Sequence, residues 1–391
     1  MTDRARTTDG VHRRNLAELL RLIHLEGPQS RAALTAETGF NRSTIGALAA
    51  ELVDLGVAEE RAPGPANRVG RPSSVLAVRP DVSAIAVNPE VDAVEIAAVG
   101  LNARVGVRER REMDGVVTPD QTAELVARVV ADWRRPGGPL ADARVVGVGL
   151  AVPGLVRAGD GLVRLAPHLA WSDAPVGALV EDAVGLPVAV GNDASLGAVA
   201  EHRFGAGRGI DDLVYLNGGA SGIGGGLIVH GRPVGGAGGY AGEFGQNRPG
   251  IDGAADRRVP GGVLEDEVSR RRLLDVVGRS TADEPTLAAA LSAAADEPAV
   301  ADELARQRRI LGTALANVVN VLNPALIVLG GFLATIAEHD LVALRRAIEG
   351  QAMPAAAEGV EVRVAALGAD RLLIGAAEAA FERLLADPTG G

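Results

Sequence analysis

From Val11 to about Gly27 the chain repeats Leu16, Leu19, Leu20 and Ile23 at three- and four-residue steps, which places them on one helix face before Gly27-Pro28 stops the run. Ser30 suits the N-cap of a second, short helix, RAALTAET, that Gly39 would end. RSTIGALAAELVDLG then predicts a third helix, with Ile45, Leu48, Leu52 and Leu55 along one stripe and Gly56 past its end. Two helices joined by a glycine-containing turn have the geometry of a helix-turn-helix. The third helix would enter a DNA major groove by its N-terminal turn. Asn41, Arg42, Ser43 and Thr44, with Arg31 at the start of the second helix, are therefore the candidate contacts. Next, VAEERAPGPANRVGRPSSVLAV reads as strand, Pro/Gly/Arg loop and strand, a wing whose Arg68 and Arg71 would reach phosphates or a minor groove. The other reading of this segment is a small helical docking domain with solvated arginines; the wing favours DNA.

After Arg79-Pro80 the pattern changes to short apolar runs that read as buried strands: AIAV, AVEIAAVGL, VVGVGLAVPG, VAVGNDA, DLVYLN, GGGLIVHG and ALIVLGG. Amphipathic stretches at 119–134, 175–184, 265–277 and 301–322 separate them and predict helices. Strands alternating with helices make an α/β body of two lobes. The expected domains are 1–79 for DNA binding, 80–193 as a small lobe on which the C-terminal helix 372–391 packs, and 194–371 as a large lobe. Residues 217–245 are denser in glycine than packing alone would ask, which makes Ser221, Gly222 and Gly224 candidates for a loop that brings bare backbone N–H groups to a ligand.

Composition narrows the function classes. The 391 residues are 47% hydrophobic and 23% charged, an ordinary globular balance. Cysteine is absent, which excludes a disulfide framework, a thiolate zinc site and a cysteine nucleophile. The polar start MTDRARTTDG has no apolar core of a signal peptide, and the most apolar later stretch is interrupted by asparagines, a proline and a Gly-Gly, so a cytoplasmic chain with no membrane partner is expected. All basic residues are arginine. Residues 1–80 hold 11 arginines against 9 acidic residues, whereas the rest holds 28 against 41, so a polyanion would be met by the first segment and repelled by the body.

Several motifs recur in one order: AVPGLV, PHLAWSDAPV, LPVAVGNDASLGAVAEHRFG, ASGIGGGLIVHGRPVGGAGGYAGEFG, ANVVNVLNPALIVLGG and LLIGAAEAAF. Over nearly the whole chain this series resembles the ROK family of sugar kinases and sugar-responsive repressors. The resemblance implies an N-terminal winged helix-turn-helix followed by a two-lobed, actin-like (ribonuclease H-like ATPase) body with a sugar cleft. Asn192-Asp193 matches the family pair whose aspartate is the kinase's general base, and without phosphoryl transfer that carboxylate still accepts a sugar hydroxyl. Glu243 and Glu265 match carboxylates that hold sugar hydroxyls, although an acid at Glu265 also suits the first turn of the helix that follows. His168 in PHLAW lies in a loop that could line the cleft, or is an ordinary loop residue.

Two departures from the family follow. Its structural zinc is held by one His and three Cys; Gln246, Asp256, Arg258 and Val263 stand in their places, so no metal or other cofactor is expected, and the Gln246 amide is left to bond a sugar without one. Its first phosphate loop carries a glycine pair, but Asn88-Pro89-Glu90-Val91 offers none. Pro89 lacks an N–H and Glu90 sets negative charge where phosphate would lie, with Asp92 as a weak replacement. The resulting expectation is a sugar-controlled DNA-binding regulator with no kinase activity, a homodimer or higher homo-oligomer on operator DNA. A kinase with an added DNA-binding domain and a ligand-independent protein that uses its body as a dimerisation scaffold remain as alternatives.

Overall fold

The computed structural model of the chain describes residues 2–62, 74–91, 93–251 and 253–390, with side chains from Gly10 onward. Arg68, Arg71 and Asp92 lie outside the described residues. The chain begins with α1 (Thr2–Leu25), β1 (Gln29–Ser30), α2 (Arg31–Thr38), α3 (Arg42–Asp54), β2 (Ala58–Arg61) and β3 (Val75–Val78). Next come β4 (Val82–Pro89), β5 (Ala93–Gly100), β6 (Val105–Glu112), α4 (Pro119–Arg134) and β7 (Arg144–Val152). The short strands β8 (Leu155–Val156), β9 (Val163–Ala166) and β10 (Trp171–Ala174) precede α5 (Val176–Val184), β11 (Val188–Asn192) and α6 (Asp193–Phe204). Then follow β12 (Leu213–Gly219), β13 (Gly222–Val229), β14 (Arg232–Pro233), α7 (Leu264–Glu267), α8 (Arg270–Val276), α9 (Glu284–Ala293) and α10 (Pro298–Leu322). The chain closes with β15 (Leu326–Gly331), α11 (Phe332–His339), α12 (Leu341–Glu349), α13 (Pro354–Ala357), β16 (Glu361–Val364) and α14 (Arg371–Ala386).

These elements form two compact units, one of Met1–Ala151, Ala174–Gly191 and Ala376–Gly391, the other of Val152–Asp173 and Asn192–Gly375. Besides placing residues 192–193 and 372–375 in the second unit, this differs from the division expected above in two larger ways. Residues 152–173, expected in the first lobe, belong to the second unit, because they build the small sheet β10-β9-β8 whose Ala158 N–H donates to Gly238 O at 3.0 Å. Residues 1–79, expected as a separate domain, join the first unit, because buried contacts tie α1 to α14.

In the first unit, Leu16, Leu19, Leu20 and Ile23 of α1 are fully buried with Ile45 and Leu52 of α3, so the stripes converge. The helix begins well before Val11, since residues 2–10 have no apolar stripe to announce it. Ser30 caps α2, its Oγ accepting from Ala33 N at 3.2 Å, and Gly39 ends it at φ 69°. Replacing Ser30 by alanine is expected to lower stability by about 1 kcal/mol, read as a lower urea midpoint at constant slope. An unchanged midpoint would assign the start of α2 to the pairing of β1 with β3 alone. β1 and β2 both run antiparallel to β3, which completes the three helices and small sheet of a winged helix.

A five-stranded sheet of order β11-β7-β4-β5-β6 follows, with β4 parallel to β7 and antiparallel to β5. Here β4 and most of β5 are buried, whereas β6, VGVRERRE, is half or fully exposed as an edge. The C-terminal helix lies hard on this sheet. A side chain at Gly149 would strike the backbone of Ala376, and one at Gly147 would approach Ala380, one turn further along α14. His24 of α1 stands between these parts: its Nδ1 is 2.5 Å from Leu101 O and its Nε2 is 3.1 Å from a Glu378 carboxylate oxygen, with both side chains 1% exposed. Arg21 adds a hydrogen bond to Leu385 O at 3.1 Å.

In the second unit the sheet order is β14-β13-β12-β15-β16, with β12 antiparallel to β13 and parallel to β15. Its central strands are apolar on both faces. Leu213, Tyr215, Leu326 and Val328 pack with Ala198 of α6, while the alternate residues Val214, Leu216, Ile327 and Leu329 pack with the helices from α7 onward. The stretch 265–277 forms two short helices instead of the single one expected. At the break, Gln307 of α10 takes over the backbone bonds of Ser269, accepting from its N–H at 3.0 Å and donating to its carbonyl at 3.1 Å. No helix among the described residues is long and apolar enough to cross a membrane.

Candidate functional site

The second unit gathers the carboxylates. Asn192 caps α6, its Oδ1 accepting from Ser195 N at 2.9 Å, while its Nδ2 donates to Gly154 O at 3.1 Å. This places Asp193 on the first turn of α6, where one oxygen accepts from Ala194 N at 2.8 Å. Burial pushes the Asp193 carboxyl up to about 6; the Ala194 N–H and the Arg371 charge oppose that rise, and the charge of Glu243 adds to it. Desolvation likewise raises Glu243, helped by the charge of Glu265. The charge of Glu243 thus raises Asp193 and that of Glu265 raises Glu243, a row of acids suited to accepting hydroxyl hydrogens.

Glu265 is held through both of its oxygens. One oxygen accepts from Ile223 N at 3.1 Å and the other from Gln246 Nε2 at 2.6 Å. It lies in the first turn of α7, so both readings of that acid meet in one residue. Gln246 is exposed at the end of the turn Phe244–Gln246 that Glu243 begins.

The glycines around this site have a packing cause. A Cβ at Gly224 would come within 2.7 Å of the Ala194 methyl, and one at Gly226 within 2.5 Å of the Ala198 methyl, so β13 can lie on α6 only without side chains. Gly222, at φ 135°, leaves room for the Glu265 carboxylate. Packing therefore accounts for glycines at which the sequence suggested a ligand loop. The turn itself, with Gly219 paired to Gly222, is a tight hairpin carrying Ser221 at its tip. His168 is exposed on the turn Pro167–Leu169 and makes no hydrogen bond or ion pair among the described residues.

Sequence reading missed Arg371, which is 5% exposed beside this site. It donates to Asn217 Oδ1 at 3.1 Å, to Glu284 at 2.7 Å and to Gly368 O at 2.6 Å. Its one signal was an arginine, after Asp370, at the head of the mostly apolar run LLIGAAEAAF.

The residues at the family's zinc positions do not fit that ion. Gln246 is committed to Glu265, and Asp256 is paired with Arg309 at 2.7 and 3.0 Å. Arg258 offers a cation and Val263 an apolar side chain, neither of which ligates zinc. In the first unit, the turn after β4 is closed by Glu90 N donating to Ala93 O at 2.7 Å. The Glu90 carboxylate accepts from Arg110 at 2.5 Å and from Asn88 at 3.2 Å.

In the helix-turn-helix, Asn41 caps α3: its Oδ1 accepts from Thr44 N at 2.9 Å and from Ser43 Oγ at 2.6 Å. Arg31 pairs with Glu60. Arg42 is exposed and has no ion pair among the described residues, so it is the cation most available to a phosphate or a base.

A model of the ROK family matches residues 85–383. The chain belongs to the ROK family. Among ROK relatives, it is 27% identical over 377 residues to the xylose repressor of Caldicellulosiruptor bescii, covering 92% of this chain and 93% of that one. It is 32% identical over 264 residues to the glucokinase of Halalkalibacterium halodurans, covering 62% of this chain and 78% of that enzyme. Among solved structures, a ROK family transcriptional regulator homologous to the E. coli MLC protein matches with a TM-score of 0.76 and 23% identity, over 96% of this chain and 97% of that one. The fold is thus shared with that structure along almost the full length of the chain.

Proposed function

We propose that this ROK protein is a DNA-binding transcriptional repressor controlled by a sugar or sugar derivative. The desolvated Asp193 beside Glu243 carries the reading: three carboxylates and the Gln246 amide form an acceptor-rich site suited to a polyhydroxylated ligand. Similarity to a xylose repressor over 92% of the chain supports DNA binding. α3 is the recognition helix, with Arg42 and Thr44 at the groove. The protein acts in the cytoplasm as a homodimer, because two-fold operators require two recognition helices. A ligand that binds the DNA-bound and free forms with unequal affinity shifts operator occupancy by that difference.

Phosphoryl transfer is not part of this function. Glu90 presents a carboxylate, paired with Arg110, where the family's first phosphate loop would bind, and Pro89 has no N–H to offer. Fluorescence anisotropy on DNA from upstream of the protein's own gene, at fixed salt and with a panel including D-xylose and D-glucose, tests the reading. Competitor-resistant binding that one sugar shifts is expected, with Arg42→Ala weakening it roughly 10-fold. Specific binding that no sugar shifts would favour the scaffold alternative, and ADP release with any sugar of the panel would restore the kinase.

A further inference from the structure

A second cluster lies behind Glu265. Glu267 is fully buried on the same single-turn helix α7, two residues on and so on the opposite side of the turn. Its carboxylate accepts from Arg258 N at 2.9 Å and from Val259 N at 2.9 Å, and it meets Arg306 Nη1 at 3.2 Å. Arg306, 2% exposed on α10, also donates to Glu267 O at 2.7 Å, to Asp256 O at 2.8 Å, and by two nitrogens to Glu303 at 2.7 and 2.9 Å. One guanidinium thus gathers the ends of the loop 256–267 and fastens them to a 25-residue helix.

We propose that Arg306 and Glu267 are positioning residues for the sugar-side carboxylate, an ion-paired strap that orients α7 without any metal. The strap fixes one side of α7, so the other side presents Glu265 to Ile223 N and to Gln246. Residues that cannot hold zinc stand in this loop, and the strap occupies the same stretch, so the protein's own charges carry the orienting task. Two acids facing one arginine, with backbone N–H donors on Glu267 and the Gln307 amide on Glu303, satisfy the buried charges that such a device requires. This inference rests on the sugar reading for its functional meaning, but its geometric claim is testable without any sugar.

The test uses the full-length protein in EDTA. Hydrogen exchange is followed in peptides covering 219–228 and 244–247, and D-xylose and D-glucose are the titration probes. In Glu267→Gln the amide cannot accept from two backbone N–H groups and an arginine at once, so exchange at Ile223 is expected to quicken and affinity for whichever probe binds to fall, each by about 10-fold or more. Ser30→Ala, which loosens the protein elsewhere, should move neither. Should Arg306→Met fail to fold, the triple variant Glu267→Gln, Glu303→Gln, Arg306→Met removes every charge of the strap together and is expected to show the same losses. Unchanged exchange in both Glu267→Gln and the triple variant would overturn the proposal, as would wild-type affinity that EDTA abolishes and zinc restores. A wild type that binds neither probe would count against the sugar reading, while the exchange rates would still decide the strap.

Discussion

Replacing Asp193 by asparagine is expected to abolish the sugar response and, above about pH 6, to make the protein more stable. The substitution keeps Oδ1, so the bonds from Ala194 N and Asn192 Nδ2 survive. What changes is the second oxygen, which becomes a donor where a hydroxyl hydrogen must be accepted. Losing a charge-assisted bond and leaving a mismatched donor should cost about 3 kcal/mol of binding, over a 100-fold loss of affinity. Stability moves the other way. The carboxyl titrates near 6 in the folded protein against an ordinary 3.8. Its contribution to stability is therefore complete below pH 3.8 and is lost as pH rises through about 6. Asparagine avoids that loss, so the variant should exceed wild type by about 3 kcal/mol at pH 7.5 and match it near pH 3.5. Denaturant curves at the two pH values test this, and a variant less stable than wild type at pH 7.5 would contradict the desolvation of Asp193. Sugar affinity of the wild type should climb between pH 5 and 7, in step with its ionisation.

The His24→Leu substitution is expected to be among the most damaging in the first unit. His24 links α1 to the β5–β6 turn through Leu101 O and to α14 through Glu378, and the Phe381 ring stands 6.2 Å away, edge-on. Removing one member of a buried hydrogen-bonded pair strips the other of its compensation, a loss of about 3 kcal/mol. Glu378→Gln retains a hydrogen-bonding group and should cost about 1 kcal/mol. The double variant His24→Leu, Glu378→Leu replaces both polar partners with apolar volume and should recover most of the loss. Urea midpoints of His24→Leu, Glu378→Leu and the double variant measure the coupling, and additive single and double effects would show that the two side chains do not act as a pair. Limited proteolysis of His24→Leu should also cut residues 1–79 faster than the sheet they rest on.

Local signals made the helix-turn-helix legible. Ser30, Gly39 and Asn41 do at the caps what their residue types do in any chain, and the leucine stripes bury as spaced. The body's central strands were equally plain, because they are apolar on both faces. β6 was not, since VGVRERRE has charges at most of its positions and only its pairing with β5 makes it a strand. The split of 265–277 was hidden because its cause, Gln307, lies 38 residues away. Asp193, Glu243 and Glu265 were found by resemblance, which supplies identity but not environment. The desolvation of Asp193, the arginine beside it and the burial of Arg306 depend on three-dimensional neighbours that no local pattern encodes.

The bare face of β13 also limits how this site can be remade. At 224 and 226 even a methyl group would force the hairpin from α6 and carry Asp193 away from the acids opposite, and at 222 it would displace the Glu265 carboxylate. Retargeting the protein to another small molecule, whether by natural drift or in a sensor library, must therefore leave these glycines alone and vary the exposed rim instead. Gln246, which meets solvent and reaches the scaffold through its amide bond to Glu265, is the rim position to vary first, at the cost of that one bond.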